Sequence, residues 1–158
     1  MKNLLLVISA FALMVSCSNK AQEYIAYNDA VVSQVELADS TIRRLFSFAD
    51  FDEFPKVQQN YHSSFKSINS ALTAIEPNEE SDSLRLVAMD LVSTYDDIVD
   101  NDFLVIYELM SDSLYTVQDS ITVDSLSAEM YAKWQIKSEH FASTQKAFSK
   151  KFGIELVQ

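Results

Sequence analysis

The sequence predicts an all-α protein: four amphipathic helices in an up-down-up-down bundle, behind an apolar N-terminal leader. Three observations carry this. The chain of 158 residues has one glycine and two prolines. That is too few for the turns of a β-sandwich, a dinucleotide-binding turn or a phosphate-cradling loop, which rely on glycine's positive φ or missing side chain. Apolar residues recur in steps of three and four through four long segments, which places them on one face of a helix. The joins between these segments are mostly short, as between antiparallel neighbours of a bundle.

The first helix is expected over residues 22–49, with Tyr24, Tyr27, Val31, Val35, Ala38, Ile42, Leu45 and Ala49 on its apolar stripe. Asp50-Phe51-Asp52-Glu53 then offers carboxylate caps, and Pro55 suits the first turn of a second helix. That helix carries Val57, Tyr61, Phe65, Ile68, Leu72 and Ile75 and stops near Pro77. The third begins within residues 78–83, where Glu79, Glu80 and Asp82 favour the positive end of the helix dipole. Its stripe is Leu84, Val87, Leu91, Tyr95, Ile98, Val105 and Leu109, widened by Phe103, Ile106 and Met110. Asp102 falls where this stripe calls for an apolar residue.

The fourth helix is expected over residues 124–152, with Leu126, Met130, Trp134, Phe141, Phe148 and Phe152 facing inward. Lys146, Lys150 and Lys151 complement its negative pole, and Gly153 is a natural stop. Residues 111–123 have strand-like composition in Leu114-Tyr115-Thr116-Val117 and Ile121-Thr122-Val123. Two short strands alone would be marginal, so an ordered linker is expected there. With four antiparallel helices both termini and the join at residues 77–82 share one end of the bundle. The joins near residue 50 and at residues 111–123 share the other.

The N-terminus has its own logic. Lys2 precedes an apolar run over residues 4–15, and Met14-Val15-Ser16-Cys17 is followed at once by polar Ser18-Asn19-Lys20. A positive start, about a dozen apolar residues and a small residue at the cut make a secretory signal. The run is shorter than the roughly 20 residues that a membrane-spanning helix needs. Val15-Ser16-Cys17 resembles the lipobox of bacterial lipoproteins, with Met14 in place of the usual leucine. The resemblance implies cleavage between Ser16 and Cys17, diacylglyceryl transfer to the Cys17 thiol and acylation of the new amine. Two or three acyl chains anchor firmly where one binds only marginally. The expected organisation is a signal peptide at 1–16, a lipidated tether at 17–21 and a bundle domain at 22–158. Cys17 is the only cysteine, so its lipidation leaves no thiol for a disulfide, a metal or a nucleophile.

Removing the leader with Lys2 takes the formal net charge from −11 to −12. Such an acidic chain is a poor partner for nucleic acid. It keeps a domain dispersed beside a membrane. A bundle can hold metals through Glu-x-x-His pairs, but none occurs, and adjacent Glu139 and His140 project about 100° apart. His62 and His140, the only histidines, lie beside the stripes as partly exposed surface residues. No haem-attachment motif, nucleophile elbow or triad is recognisable. No catalytic, cofactor-binding or metal-ligating residue is therefore expected, and the bundle should fold with little metal dependence. The densest acidic group, Asp96, Asp97, Asp100 and Asp102, reads as a solvated face, with a cation site as the alternative. Asp102, from its stripe position, is expected to turn toward a tyrosine or lysine.

Leu84-Arg85-Leu86-Val87-Ala88, Tyr95, Asn101-Asp102-Phe103 and Leu109, behind a lipobox and a helix pair, resemble small helical surface-lipoprotein families of Gram-negative envelopes. Those families carry no assigned activity, so the resemblance implies a fold and an address and transfers no site. The expected function is that of a non-enzymatic, membrane-anchored envelope lipoprotein, an accessory or interaction module with an envelope protein partner. The alternative is a small-ligand or cation-binding bundle. Ser18 after the cysteine and the absence of an early acidic run, with Lys20 ahead of Glu23, imply by similarity an outer-membrane anchor. The bundle would then face the periplasm rather than the cell surface.

Overall fold

The computed structural model describes the backbone of residues 2–47, 53–77, 80 and 82–155 and, within these, the side chains from Lys20 onward. Among the described residues, five α-helices and one π-helical turn form four antiparallel rods: α1 (Lys2–Phe46), α2 (Phe54–Ala74), α3 (Asp82–Asp97) running through a π turn (Ile98–Phe103) into α4 (Leu104–Ser111), and α5 (Val117–Phe152). No strand occurs among the described residues. The chain is the expected all-α four-helix bundle. The backbone at residues 17–21, expected as a tether, is helical and continuous with α1. The side chains of Met14, Ser16 and Cys17, the stripe position Ala49 and the proposed caps Asp50, Phe51 and Asp52 lie outside the described residues.

The stripes bury as their spacing requires. Val31, Ala38, Ile42 and Leu45 of α1, Phe65 and Leu72 of α2, and Leu84, Leu91 and Tyr95 of α3 are fully enclosed. α3 packs against α1, α2 and α5 and so runs through the middle of the bundle. α1 and α5 meet chiefly through long aromatic side chains. At one end Tyr24 stacks on Phe152 at 3.7 Å between centroids and meets Phe148 edge-on. There Lys151 Nζ also donates to the Glu80 carbonyl at 2.8 Å. At the other end Phe46 packs on Tyr131 and Trp134, and Phe54 on Phe103 and Tyr107. The part of α1 around Tyr24, where the first bundle helix was expected to begin, the end of α5 and the α2–α3 join therefore share one end.

Three boundaries differ from expectation. Glu53 stands at the N-cap of α2 but makes no side-chain cap bond; its carboxylate takes Lys56 Nζ at 2.6 Å instead. α5 begins at Val117, in the middle of the expected linker. Thr116 and Asp119 form a reciprocal capping box, with Thr116 Oγ1 accepting from the Asp119 N–H and the Asp119 carboxylate accepting from the Thr116 N–H. That local closure lets the β-branched run continue as helix despite its strand-like composition.

The third difference is the π turn. Its wider winding makes room for one extra residue, and the apolar register changes there. Phe103 is buried at the place the stripe assigned to Asp102, while Val105, expected inside, is 41% exposed and Ile106 is buried. The anomaly at Asp102 is thus a register change rather than an acid on the core face. Deleting the exposed Asn101 should let this segment wind as ordinary α-helix with Phe103 still on the core face. Deleting Ser93 inside α3 should instead rotate everything after it by about 100°. Urea unfolding should show a cooperative transition for the first deletion and a loss of more than ~4 kcal/mol, or no transition, for the second.

Candidate functional site

The polar chemistry of the bundle gathers along the third rod in three groups. The first is internal. Tyr95, on the stripe of α3, is completely buried, and a buried phenol must find partners. Its hydroxyl donates to the Asp39 carboxylate of α1. It accepts the indole N–H of Trp134 from α5 at 2.9 Å and lies 3.3 Å from Ser138 Oγ, one α5 turn further on. One donor and two acceptor positions are all a hydroxyl has, so the group is saturated. Burial, then the bond to Asp39, push the Tyr95 phenol far above the ordinary tyrosine range.

Beyond this network a cleft of about 310 Å³ opens between α1 and α5, lined by Asp39, Arg43, Tyr131, Trp134, Gln135, Ser138 and Glu139. The Arg43 guanidinium sits 5.2 Å above the Trp134 ring. The volume is at the small end of ligand clefts, with an aromatic floor and both signs of charge on its rim.

The second and third groups divide the acidic run 96–102. Asp96 and Asp100 turn toward α2, where His62 Nδ1 lies 2.8 Å from an Asp96 oxygen and 3.0 Å from an Asp100 oxygen. Asp97 and Asp102 turn toward α5, where Lys133 Nζ holds both Asp102 oxygens at 2.8 and 2.9 Å and lies 3.7 Å from Asp97. The Asp102 side chain is 16% exposed, and the lysine partner is of the kind its position predicted. The hydrogen bond to Asp102 holds the Lys133 ammonium above its usual range. Burial raises the Asp96 carboxyl, against the pull of its bond to His62. The expectation of a freely solvated acidic face is corrected: all four carboxylates have cationic or imidazole partners on flanking helices. His62 is half-buried and engaged, whereas His140 is exposed. Among the described residues no side-chain hydroxyl bonds either imidazole.

Sequence reasoning placed Tyr95 and Trp134 in the core but missed their polar ends. The available signal was that both carry a hydrogen-bonding group at a buried position, which requires partners on neighbouring helices. The His62 pairing, across 34 positions, had no sequence signal beyond residue type. No protein-family model matches the chain, nor does any curated protein or solved structure.

Tyr95→Phe should leave the Asp39 carboxylate and the Trp134 N–H short of a partner and cost about 1–3 kcal/mol in urea unfolding at neutral pH. The same residue sets a pH dependence. Tyrosines of the unfolded chain titrate near pH ~10, while Tyr95 in the fold keeps its proton to much higher pH. Its contribution is therefore complete below about pH 10 and is lost as pH rises beyond it, because the unfolded state then binds fewer protons. The alkaline decline in stability should be shallower in Tyr95→Phe than in the wild type.

Proposed function

We propose that this chain is a lipid-anchored envelope lipoprotein whose bundle is a non-enzymatic interaction module, docking a protein partner at the end remote from the membrane. The lipobox-like Val15-Ser16-Cys17 supports the anchor. Among the described residues no helix is long and apolar enough to cross a membrane. The observation that carries the docking reading is the far end of the bundle. There Leu114, Val117 and Ile121 are 78, 80 and 57% exposed, and Met110 and Tyr115, close to them in sequence, are exposed too. Isolated surface apolar residues are ordinary, but a contiguous group is a mark of interaction sites. The anchored end is closed by Tyr24, Phe148 and Phe152, so the exposed group points away from the lipid.

A small-ligand bundle is the second reading, favoured by the cleft of about 310 Å³ beside Asp39 and Trp134. The Asp39 carboxylate in its wall is already committed to Tyr95, which leaves Arg43 and Glu139 as the charges a ligand would meet.

Cys17→Ser should abolish acylation and shift the protein out of the detergent phase on partitioning; an unchanged mass and partitioning would remove the anchor from this account. A photo-cross-linker at Val117 or Ile121 in intact envelopes should give a discrete adduct that the same probe at Lys146 does not. Absence of any adduct at the far end would remove the docking surface. Protease treatment of intact cells should spare the bundle if it faces the periplasm, and digestion with a periplasmic control intact would place the partner outside the cell.

A further inference from the structure

We infer that the His62 imidazole and the Asp96 and Asp100 carboxylates form a divalent-cation site between α2 and the third rod, with the mixed nitrogen and oxygen donors that suit zinc. The three ligand atoms lie within 4.8 Å of one another, and each residue is partly shielded from solvent. Acidic residues one helical turn apart are common on surfaces and repel each other. What distinguishes this pair is a third donor, brought by a different helix and shared between both.

Nδ1 faces an Asp96 oxygen at 2.8 Å and an Asp100 oxygen at 3.0 Å. A neutral imidazole protonated on Nε2 would point a lone pair at two anions. An imidazolium, or a neutral imidazole protonated on Nδ1, has a single N–H on that nitrogen, which can lie along the line to only one of the two carboxylates. Either way two negative charges meet at most one positive charge. Lys66, one turn along α2, acts on Asp96 only through the weaker field of a nearby charge. A divalent ion at this point accepts the imidazole lone pair and balances both carboxylates at once.

The geometry allows it with little movement. Zinc bonds to histidine nitrogen and carboxylate oxygen are ~2.0–2.2 Å, so neighbouring ligands of one ion stand roughly 3 Å apart or slightly more. The two imidazole–carboxylate separations need to widen by only a few tenths of an ångström, and the two carboxylate oxygens already lie within 4.8 Å of each other. Three protein donors with water completing the shell is a recurrent zinc arrangement. Calcium is disfavoured, because it takes six to eight oxygen ligands and the imidazole supplies none. Asp100 belongs to the π turn and His62 to α2, so the bound ion would tie α2 to the segment where the third rod changes register. The site stands apart from the lipid anchor and from the far-end surface, and its test does not depend on either.

The full chain, purified in detergent and stripped of metal, should take up one zinc ion per chain in competition with a chromophoric chelator. Zinc should also raise its thermal midpoint, as any ligand of the folded state alone does. His62→Gln and Asp100→Asn should each weaken binding by at least ~10-fold, while His140→Gln should leave it unchanged. Calcium should not substitute. The chain has only two histidines, so nitrogen NMR gives a direct readout even if a variant folds poorly: zinc should shift the Nδ1 resonance of His62 and leave His140 in place. Absence of uptake overturns the site. Uptake indifferent to His62 and Asp100, or lost equally in His140→Gln, overturns it too, as does a His62 ring unmoved by zinc.

Discussion

A single buried hydroxyl constrains how the four rods sit together. The Tyr95 ring lies at the centre of the third rod, and its oxygen is bonded to α1 through Asp39 and to α5 through Trp134 and Ser138. The remaining rod, α2, reaches the same residue through Phe65, whose ring meets the Tyr95 ring edge-on at 5.9 Å. Apolar stripes can slide along one another at modest cost, because burial is roughly proportional to area and indifferent to direction. A saturated polar group in a low-dielectric interior tolerates no such slide, since each lost bond strands a buried donor or acceptor. The stripes bring the helices together, and the Tyr95 network selects the register. It also orients the Trp134 indole, which carries Arg43 on its face and Phe46 at its side, so the shape of the α1–α5 cleft depends on the same oxygen.

Below Tyr95 the third rod leaves ordinary helical winding. A straight continuation would carry Asp102 to the core face and Val105 with it. The π turn at Ile98–Phe103 puts Phe103 on that face, against Phe54 of α2. Four aspartates in seven residues would repel one another on a single face; here two are directed to α2 and two to α5. The turn thus reconciles an acidic sequence with a central position in the bundle, and it sets the His62 and Lys133 contacts on opposite sides of one rod.

Fold class, rod order and the choice of which ends lie together were legible because they rest on apolar period and on the rarity of glycine, both local properties of the chain. The end of α5 was legible too: Gly153 takes the left-handed conformation at φ 65 that ends the helix. The start of α5 was not, because Val117, Ile121, Thr122 and Val123 weigh toward strand while the Thr116–Asp119 box that decides the matter is a two-residue signal. The π turn left one visible trace, an aspartate on an apolar stripe, and a stripe alone does not distinguish a buried acid from a shifted register. The Tyr95 network and the His62 cluster join residues from different helices, and their meeting depends on axial register that no periodicity encodes. Residue type could say that Tyr95 and Trp134 needed partners. It could not say which.

The two ends of the bundle are stabilised by different physics, and this bears on what each can do. The end near residue 20 is closed by long-range contacts, with Tyr24 stacked between the last turns of α5 and bonded to Glu80. Opening it would separate three segments at once. The first turns of α5 at the other end bury little, and their order rests on the capping box, an interaction worth ~0.5–2 kcal/mol. Elements held by local bonds rather than by packing open at free energies well below the global value. A helix start that is formed yet only locally secured can adjust its apolar side chains to a partner without disturbing the core. The bundle places its exposed apolar turns at the end remote from residue 20 and its tightest clasp beside residue 20, which is the polarity that the tethered docking module proposed above requires.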